Sequence, residues 1–305
     1  MNFKDLRVRR AIIGAMMLVA CFQSSVAALR DLRFVLESRT FDYLLLGEVH
    51  DNERLHSLRY DHLLDASRVL EGRSVILALE QFDVERQGAL DQFIASLSEV
   101  ERQDPATARK LAQAGGFNFE GWTWKNYEST LQLALLRHWK VLAANLSRGQ
   151  ASALSKGGVS ALLEDLNMAW ASEELARMAK DMQDGHCGLL PERAIGGMVK
   201  AQQARDAQMA KVVAHAKAAV PGSLVVLLAG NGHIRKDSGV PRYLRVLDPQ
   251  AALLAWGFVE TPLGEVTADP VYDEVIVATA QPRPDPCEGL KEKMLGAPPR
   301  GAPQR

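Results

Sequence analysis

Apolar side chains follow two distinct patterns along this chain. Short continuous runs rich in Val, Ile and Leu recur at 43–46, 75–79, 141–144, 224–229, 244–247, 252–256 and 274–279. They lack the period-two alternation of a half-solvated strand, so they predict strands covered on both faces. Helical stretches separate them. The pattern therefore predicts an α/β fold, a mostly parallel central sheet flanked by helices, with a helical insertion subdomain.

After the first run, residues 52–70 carry a stripe at Leu55, Leu58, His62, Ala66 and Val69, with Asp51 or Asn52 as N-cap and Gly72 as stop. Residues 85–111 and 160–218 hold no strand pattern and are dense in good helix formers. They predict helical insertions around 85–120 and 150–218 within one domain spanning 30–280. The last 25 residues contain six of the thirteen prolines, so 281–305 are expected to form a disordered tail.

The N-terminus carries an address. Lys4, Arg7, Arg9 and Arg10 precede an apolar run at 11–20, too short to span a bilayer and suited to a signal-peptide core. Leu18-Val19-Ala20-Cys21 resembles a lipobox, which makes residues 1–20 the signal and Cys21 the lipidation site. Cleavage after Ser25-Val26-Ala27 is the alternative. Export to a bacterial cell envelope follows, with a lipid anchor in the membrane or, on the alternative, as a soluble periplasmic protein.

Composition narrows the partners. The 305 residues carry a formal charge of −1, with no basic stripe beyond the extreme N-terminus, so nucleic acid is excluded as an expected partner. Three cysteines without a C-x-x-C pair exclude a disulfide scaffold and a zinc finger. In an oxidising compartment Cys187 and Cys287 either pair or remain buried thiols.

Ligands of open α/β sheets bind beyond the carboxyl ends of the strands, so the first polar residues after each run matter most. They are Gly47-Glu48-Val49-His50, Glu80, Asn145 with Arg148 beyond it, and Gly230-Asn231-Gly232-His233. Two chemistries stay open for this set. His50, His233 and Glu48 can hold a divalent metal ion that activates water, or Glu48, His50, Glu80 and His233 can work without metal as general bases and their orienting partners. Gln202, Arg205, Asp206 and Met209 share one helical face that can close over the sheet edge. His186, in a glycine-rich break, is a mobile ligand or a solvated loop residue. His56 is read as facing the crevice mouth, His62 as core, and His138 and His215 as structural. The aromatic stretch 121–127 is read as a helix lead-in packed into the core, with a flat wall for a planar ligand as the alternative. Neither G-x-G-x-x-G, Walker A nor H-E-x-x-H occurs.

Five ordered motifs carry a resemblance. Gly47-Glu48-Val49-His50-Asp51-Asn52, Leu79-Glu80-Gln81-Phe82, the Trp124–Tyr127 stretch leading to Ala144-Asn145, Ala201-Gln202 with Arg205-Asp206 and Met209-Ala210, and Gly230-Asn231-Gly232-His233 together resemble the ChaN-like haem-binding uptake family. The resemblance spans about 40–240. It implies an iron-regulated, often lipid-anchored envelope protein that binds haem for iron acquisition, as a homodimer around stacked haems. The wider superfamily, with Tiki-type proteases and erythromycin-esterase-like enzymes, implies a hydrolase as the alternative use of the same crevice. Residues expected near the cofactor are Glu48, His50, Glu80, Asn145, Arg148, His186, Gln202, Arg205, Asp206 and His233. Tyrosine is a chemically reasonable haem ligand, and the motifs do not choose among Tyr43, Tyr60, Tyr127, Tyr243 and Tyr272.

Overall fold

The computed structural model describes residues 32–157, 160–166, 168–262 and 269–295. The signal segment and Cys21 lie outside the described residues. Strands β1 (Tyr43–Leu46), β2 (Val75–Asp83), β3 (Lys140–Asn145), β4 (Leu224–Leu228), β5 (Leu253–Thr261) and β6 (Glu274–Thr279) form one sheet in the order β3-β2-β4-β1-β5-β6. Every neighbouring pair is parallel.

Helices cover both faces, as the continuous apolar runs require. After α1 (Leu32–Ser38), the β1–β2 and β2–β3 connections carry α2 (Glu53–Val69), α3 (Gln87–Ser96), α4 (Glu99–Gln103), α5 (Pro105–Ala114) and α6 (Lys125–Leu136). Leu55, Leu63, Leu111 and Leu131 from these helices pack on Leu44, Leu46, Leu77 and Leu79. The β3–β4 and β4–β5 connections carry α7 (Arg148–Ser155), α8 (Ala161–Leu166), α9 (Ser172–Gly185), α10 (Glu192–Ala219) and α11 (Val240–Leu247). Ala207, Met209, Val213, Tyr243 and Leu244 from α10 and α11 pack on the opposite face, against Tyr43, Leu45, Ile76 and Ala78. Alternate residues of one strand thus feed two separate cores. The chain leaves β1 toward one face and leaves β4, its neighbour, toward the other. That divergence opens a crevice at their carboxyl ends.

Three expectations need correction. Residues 244–247 belong to α11, because Pro241 opens a helix and Val240, Tyr243, Leu244 and Leu247 recur at helical spacing. The buried stripe of α2 is Leu55, His56, Arg59, Leu63, Ala66 and Ser67, rotated from the apolar stripe toward two charged or ionisable side chains. The proline-rich tail is structured over part of its length, since α12 (Pro286–Leu295) follows a segment in which Arg283 pairs with Asp51 and Glu260. A disulfide joins Cys287 of α12 to Cys187, which follows α9, across 100 residues of chain. Proline content removed hydrogen-bond donors from this segment but did not prevent side chains from fastening it.

The exposed edge of the sheet is capped locally. Gln87 stands beside β3, its Oε1 accepting from the Ala143 amide at 2.7 Å and its Nε2 donating to the Val141 carbonyl at 3.3 Å. One carboxamide thereby takes the place of a neighbouring strand's peptide group.

Breaking the disulfide is expected to cost stability, because the cross-link shortens a long loop in the unfolded chain. Cys287→Ser should lower the unfolding free energy by about 2–4 kcal/mol in oxidising buffer. Urea titration of wild type with and without reductant checks this, and identical midpoints would show that the bond constrains nothing.

Candidate functional site

Register sets the edge on which the polar residues gather. Leu46 stands level with Leu228 and Trp256, and Leu228 stands level with Leu79. The next residues along β1, β2 and β4 therefore emerge together as Gly47-Glu48, Glu80-Gln81 and Ala229-Gly230. Pairing of β2 with β3 shifts register between Leu79 and Asp83. A shift of this kind re-aims side chains, and here both Glu80 and the adjacent Gln81 reach the site. The two glycines serve close approach. A Cβ on Gly47 would sit 2.0 Å from Asn231 Oδ1, and one on Gly230 would sit 2.9 Å from the His50 ring and 3.6 Å from Glu80 Oε2.

Glu48 is the centre of the first cluster. Its buried carboxylate accepts from Tyr127 Oη at 2.6 Å, His50 Nδ1 at 2.7 Å and Gln81 Nε2 at 3.1 Å, and from the Arg59 guanidinium in a buried ion pair. Burial alone would raise this carboxyl, but Arg59, His50 and His56 outweigh it and hold Glu48 well below the usual carboxylate range. The same carboxylate pushes the Tyr127 phenol up, added to the larger effect of burial.

His56 supports this cluster from within the protein and does not face the crevice mouth. Its Nε2 donates to the His50 carbonyl at 3.1 Å, while Nδ1 accepts from Arg59 at 3.0 Å. Burial and Arg59 push it down to about 4, so it is neutral at pH 7. His50 is different: its side chain is 47% exposed, its ring lies edge-on to Trp122 at 4.5 Å, and its Nε2 makes no hydrogen bond among the described residues. Burial opposes its protonation, yet the bond to Glu48 and the nearby carboxylates raise its pKa overall.

The second cluster is a buried imidazolium between carboxylates. His233 Nδ1 donates to Asp206 Oδ1 at 2.5 Å, and Nε2 faces Glu80 Oε1 at 3.3 Å. The Gln202 carboxamide contacts the same Nδ1 at 3.0 Å, and Glu80 Oε2 accepts from the Gly230 amide at 2.7 Å. Burial would lower His233, but Glu80 and Asp206 raise it to about 10. Burial would raise Glu80, and His233 and His50 bring it to about 2. Asp206 is raised to about 6 by burial, which His233 only partly offsets.

Of the residues expected at the site, Glu48, His50, Glu80, Gln202, Asp206 and His233 come together. Arg205 stands beside them, donating to the Leu146 carbonyl at 3.1 Å. Asn145 ends β3 with its Oδ1 buried and without a hydrogen-bond partner among the described residues. Arg148 is exposed at the start of α7 and His186 caps α9 with Nδ1 on the Met182 carbonyl, so neither joins the cluster. Glu48, His50 and His233 do not make a metal-ligand set: the Glu48 oxygens and both His233 nitrogens are already engaged. Among the described residues no group of three or more His, Cys, Asp or Glu is placed to hold a metal ion. Trp122 and Trp124 pack partly against the core, as the lead-in reading expects, and Trp122 also flanks His50. Arg59 is the residue that sequence reasoning missed. Its signal was a cation at the position four after Leu55 and four before Leu63, on what proves to be the buried face.

Glu48→Gln leaves Arg59 buried opposite a neutral amide and is expected to cost about 3–5 kcal/mol of stability, measured by urea titration. The two clusters also set a pH profile. Glu80 and Glu48 titrate below their ordinary values, so their contribution is full above about pH 4.5 and is lost toward pH 2. His233 titrates above its ordinary value, so its contribution is full below about pH 6.5 and is lost as pH rises through about 10. Asp206, raised from 3.8 to about 6, opposes folding increasingly between those values and fully above about pH 6. Unfolding midpoints should therefore fall at both ends, and His233→Gln should remove the alkaline decline.

The model of the family described as haem-binding uptake, Tiki superfamily, ChaN matches residues 35–244. Among solved structures, ChaN of Campylobacter jejuni, described as binding haem cofacially, is similar with a TM-score of 0.62 and 23% identity, over 77% of this chain and 86% of that one. The type III effector HopBA1 is a looser likeness, with a TM-score of 0.42 and 12% identity over 79% of this chain and 88% of that one. An erythromycin esterase mutant, EreC, in its open conformation has a TM-score of 0.38 and 14% identity, over 72% and 70% of the two chains. No curated protein sequence matches. The family match covers more than half of the chain; the chain belongs to the ChaN family of haem-binding uptake proteins.

Proposed function

We propose that this protein binds haem at the carboxyl edge of its sheet, with His50 as the iron ligand. The family match over residues 35–244 carries the reading. Chemistry at His50 supports it: a carboxylate on Nδ1 and a free Nε2 on a half-exposed ring is the usual arrangement of a metal-binding imidazole. Glu48 fixes the tautomer and increases the basicity of the ring. Trp122 adds an aromatic side chain beside it. Bound haem would supply an iron centre whose properties the ligand and its carboxylate partner tune.

The tyrosines offer one competitor. Tyr43 donates to Asp248 at 2.8 Å, Tyr127 to Glu48, and Tyr272 to the Asn231 carbonyl at 3.1 Å, while Tyr243 is wholly buried. Tyr60 alone among them is half-buried, on a groove of about 570 Å3 between α2 and α6.

The role is iron acquisition at the cell envelope, by a protein anchored through Cys21. The basic and apolar N-terminal sequence supports export, and the Cys187–Cys287 bond suits an oxidising compartment. No helix among the described residues is long and apolar enough to cross a membrane. We propose a homodimer holding two haems face to face, a reading that the cofacial haem binding described for the Campylobacter jejuni protein supports.

The same Glu48–His50 pair has the form of a general base and its orienting carboxylate, and a hydrolase is the second reading. Haemin titration separates them. A saturable Soret shift that is lost in His50→Ala and kept in Tyr60→Phe is the expected result, with a haem-dependent increase in mass by size exclusion. Loss in Tyr60→Phe alone would move the ligand to the groove. No Soret change in wild type would overturn haem binding.

A further inference from the structure

The sheet ends at β3, and beyond that strand lies a cavity of about 400 Å3 between α3 and α10. In a wider sheet another strand would fill this space. Here the Gln87 side chain takes up the free backbone groups of β3 at Val141 and Ala143 and leaves the rest open. One face of α10, from Gln208 through Val212 and Ala216 to Ala219, lines the cavity at helical spacing. That face covers about three turns, about 16 Å along the helix axis, so the cavity is elongated. The half-buried Val84 and Val212 give it apolar walls over a floor of Leu142 and Ala216.

The ionisable groups around it are one-sided. Lys140, Lys211 and His215 are exposed at the cavity and make no hydrogen bond or ion pair among the described residues. The one carboxylate of the lining, Asp91, already accepts from Gln87 Nε2 at 2.8 Å. Because α10 leads into β4, which runs parallel to β2 and so to β3, the helix is antiparallel to β3. Lys140 at the start of the strand therefore stands at the same end of the cavity as His215 and Ala219 near the end of the helix. Lys211 lies one turn along from His215, and Val84, just past the end of β2, stands at the opposite end. Cavities of a few hundred Å3 with apolar walls and a few convergent polar groups are the usual form of small-molecule sites.

We propose that this cavity binds a linear amphipathic anion, an alkyl carboxylate, with its chain along Val84, Val212 and Leu142 and its head among Lys140, Lys211 and His215. Unpaired basic side chains at an apolar cleft are complementary to such a molecule and disfavour a cationic one. The site lies on the side of the sheet, apart from the crevice at its carboxyl edge, and requires no haem.

Isothermal titration of the full protein with octanoate, octanamide and octylammonium, which share one chain length and differ in charge, tests it. Saturable one-to-one binding of octanoate is expected, with octanamide about tenfold weaker and no binding of octylammonium. Lys140→Gln and Lys211→Gln should each weaken octanoate about two- to fivefold, and Ala219→Trp, which fills the cavity from an exposed position, should abolish binding. All three variants should keep the wild-type melting temperature, since none of these side chains is buried. No saturable binding of octanoate, or equal affinity for octanamide, would overturn the proposal. Wild-type affinity for octanoate in both lysine variants or in Ala219→Trp would do the same, because the chain would then be bound elsewhere.

Discussion

The ion pair between Glu48 and Arg59 is the constraint on which the crevice depends. Both side chains are almost wholly removed from water, and each is tolerable there only because the other is present. Arg59 comes from α2 and Glu48 from the end of β1, so the pair fixes α2 against the sheet. Tyr127 and Gln81 bind the same carboxylate and bring α6 and β2 to the same point. His50 is the outermost member, held from behind and open in front. The rigidity of the imidazole thus originates in a charge that never meets solvent.

The two clusters differ in what they have left to offer. His233 spends both nitrogens on carboxylates and carries its charge across the ordinary pH range, so it serves as a fixed cation that holds Glu80 and Asp206 in place. His50 spends one nitrogen and keeps the other. Their two strands meet at Gly230, where the absent side chain lets the His50 ring approach the Glu80 carboxylate. Seen from solvent, the half-exposed His50 comes first, with the buried His233 behind it.

Much of this arrangement was legible in the sequence because it follows from short-range rules. Continuous apolar runs located the six strands, and the polar residue after each run located the crevice. Gln202 and Asp206 were placed on a shared helical face by spacing alone. What escaped depended on contacts between distant segments. Arg59 interrupts an apolar stripe, so reading the stripe from hydrophobicity rotated α2 away from its true buried face. Residues 244–247 are as apolar as a strand, and only Pro241 and the spacing back to Val240 mark a helix. The Cys187–Cys287 bond joins positions 100 residues apart, and no local pattern encodes that proximity.

The carboxamide of Gln87 has a consequence for how copies of this protein meet. A parallel sheet that ends in an open edge invites another strand to extend it, and β3 occupies that edge. With the Val141 carbonyl and the Ala143 amide already engaged, an incoming backbone finds the central pair of its ladder taken. Assembly along that side is thereby discouraged at the level of single hydrogen bonds. Contacts between copies on the β3 side are thereby left to side chains rather than to a continuous sheet.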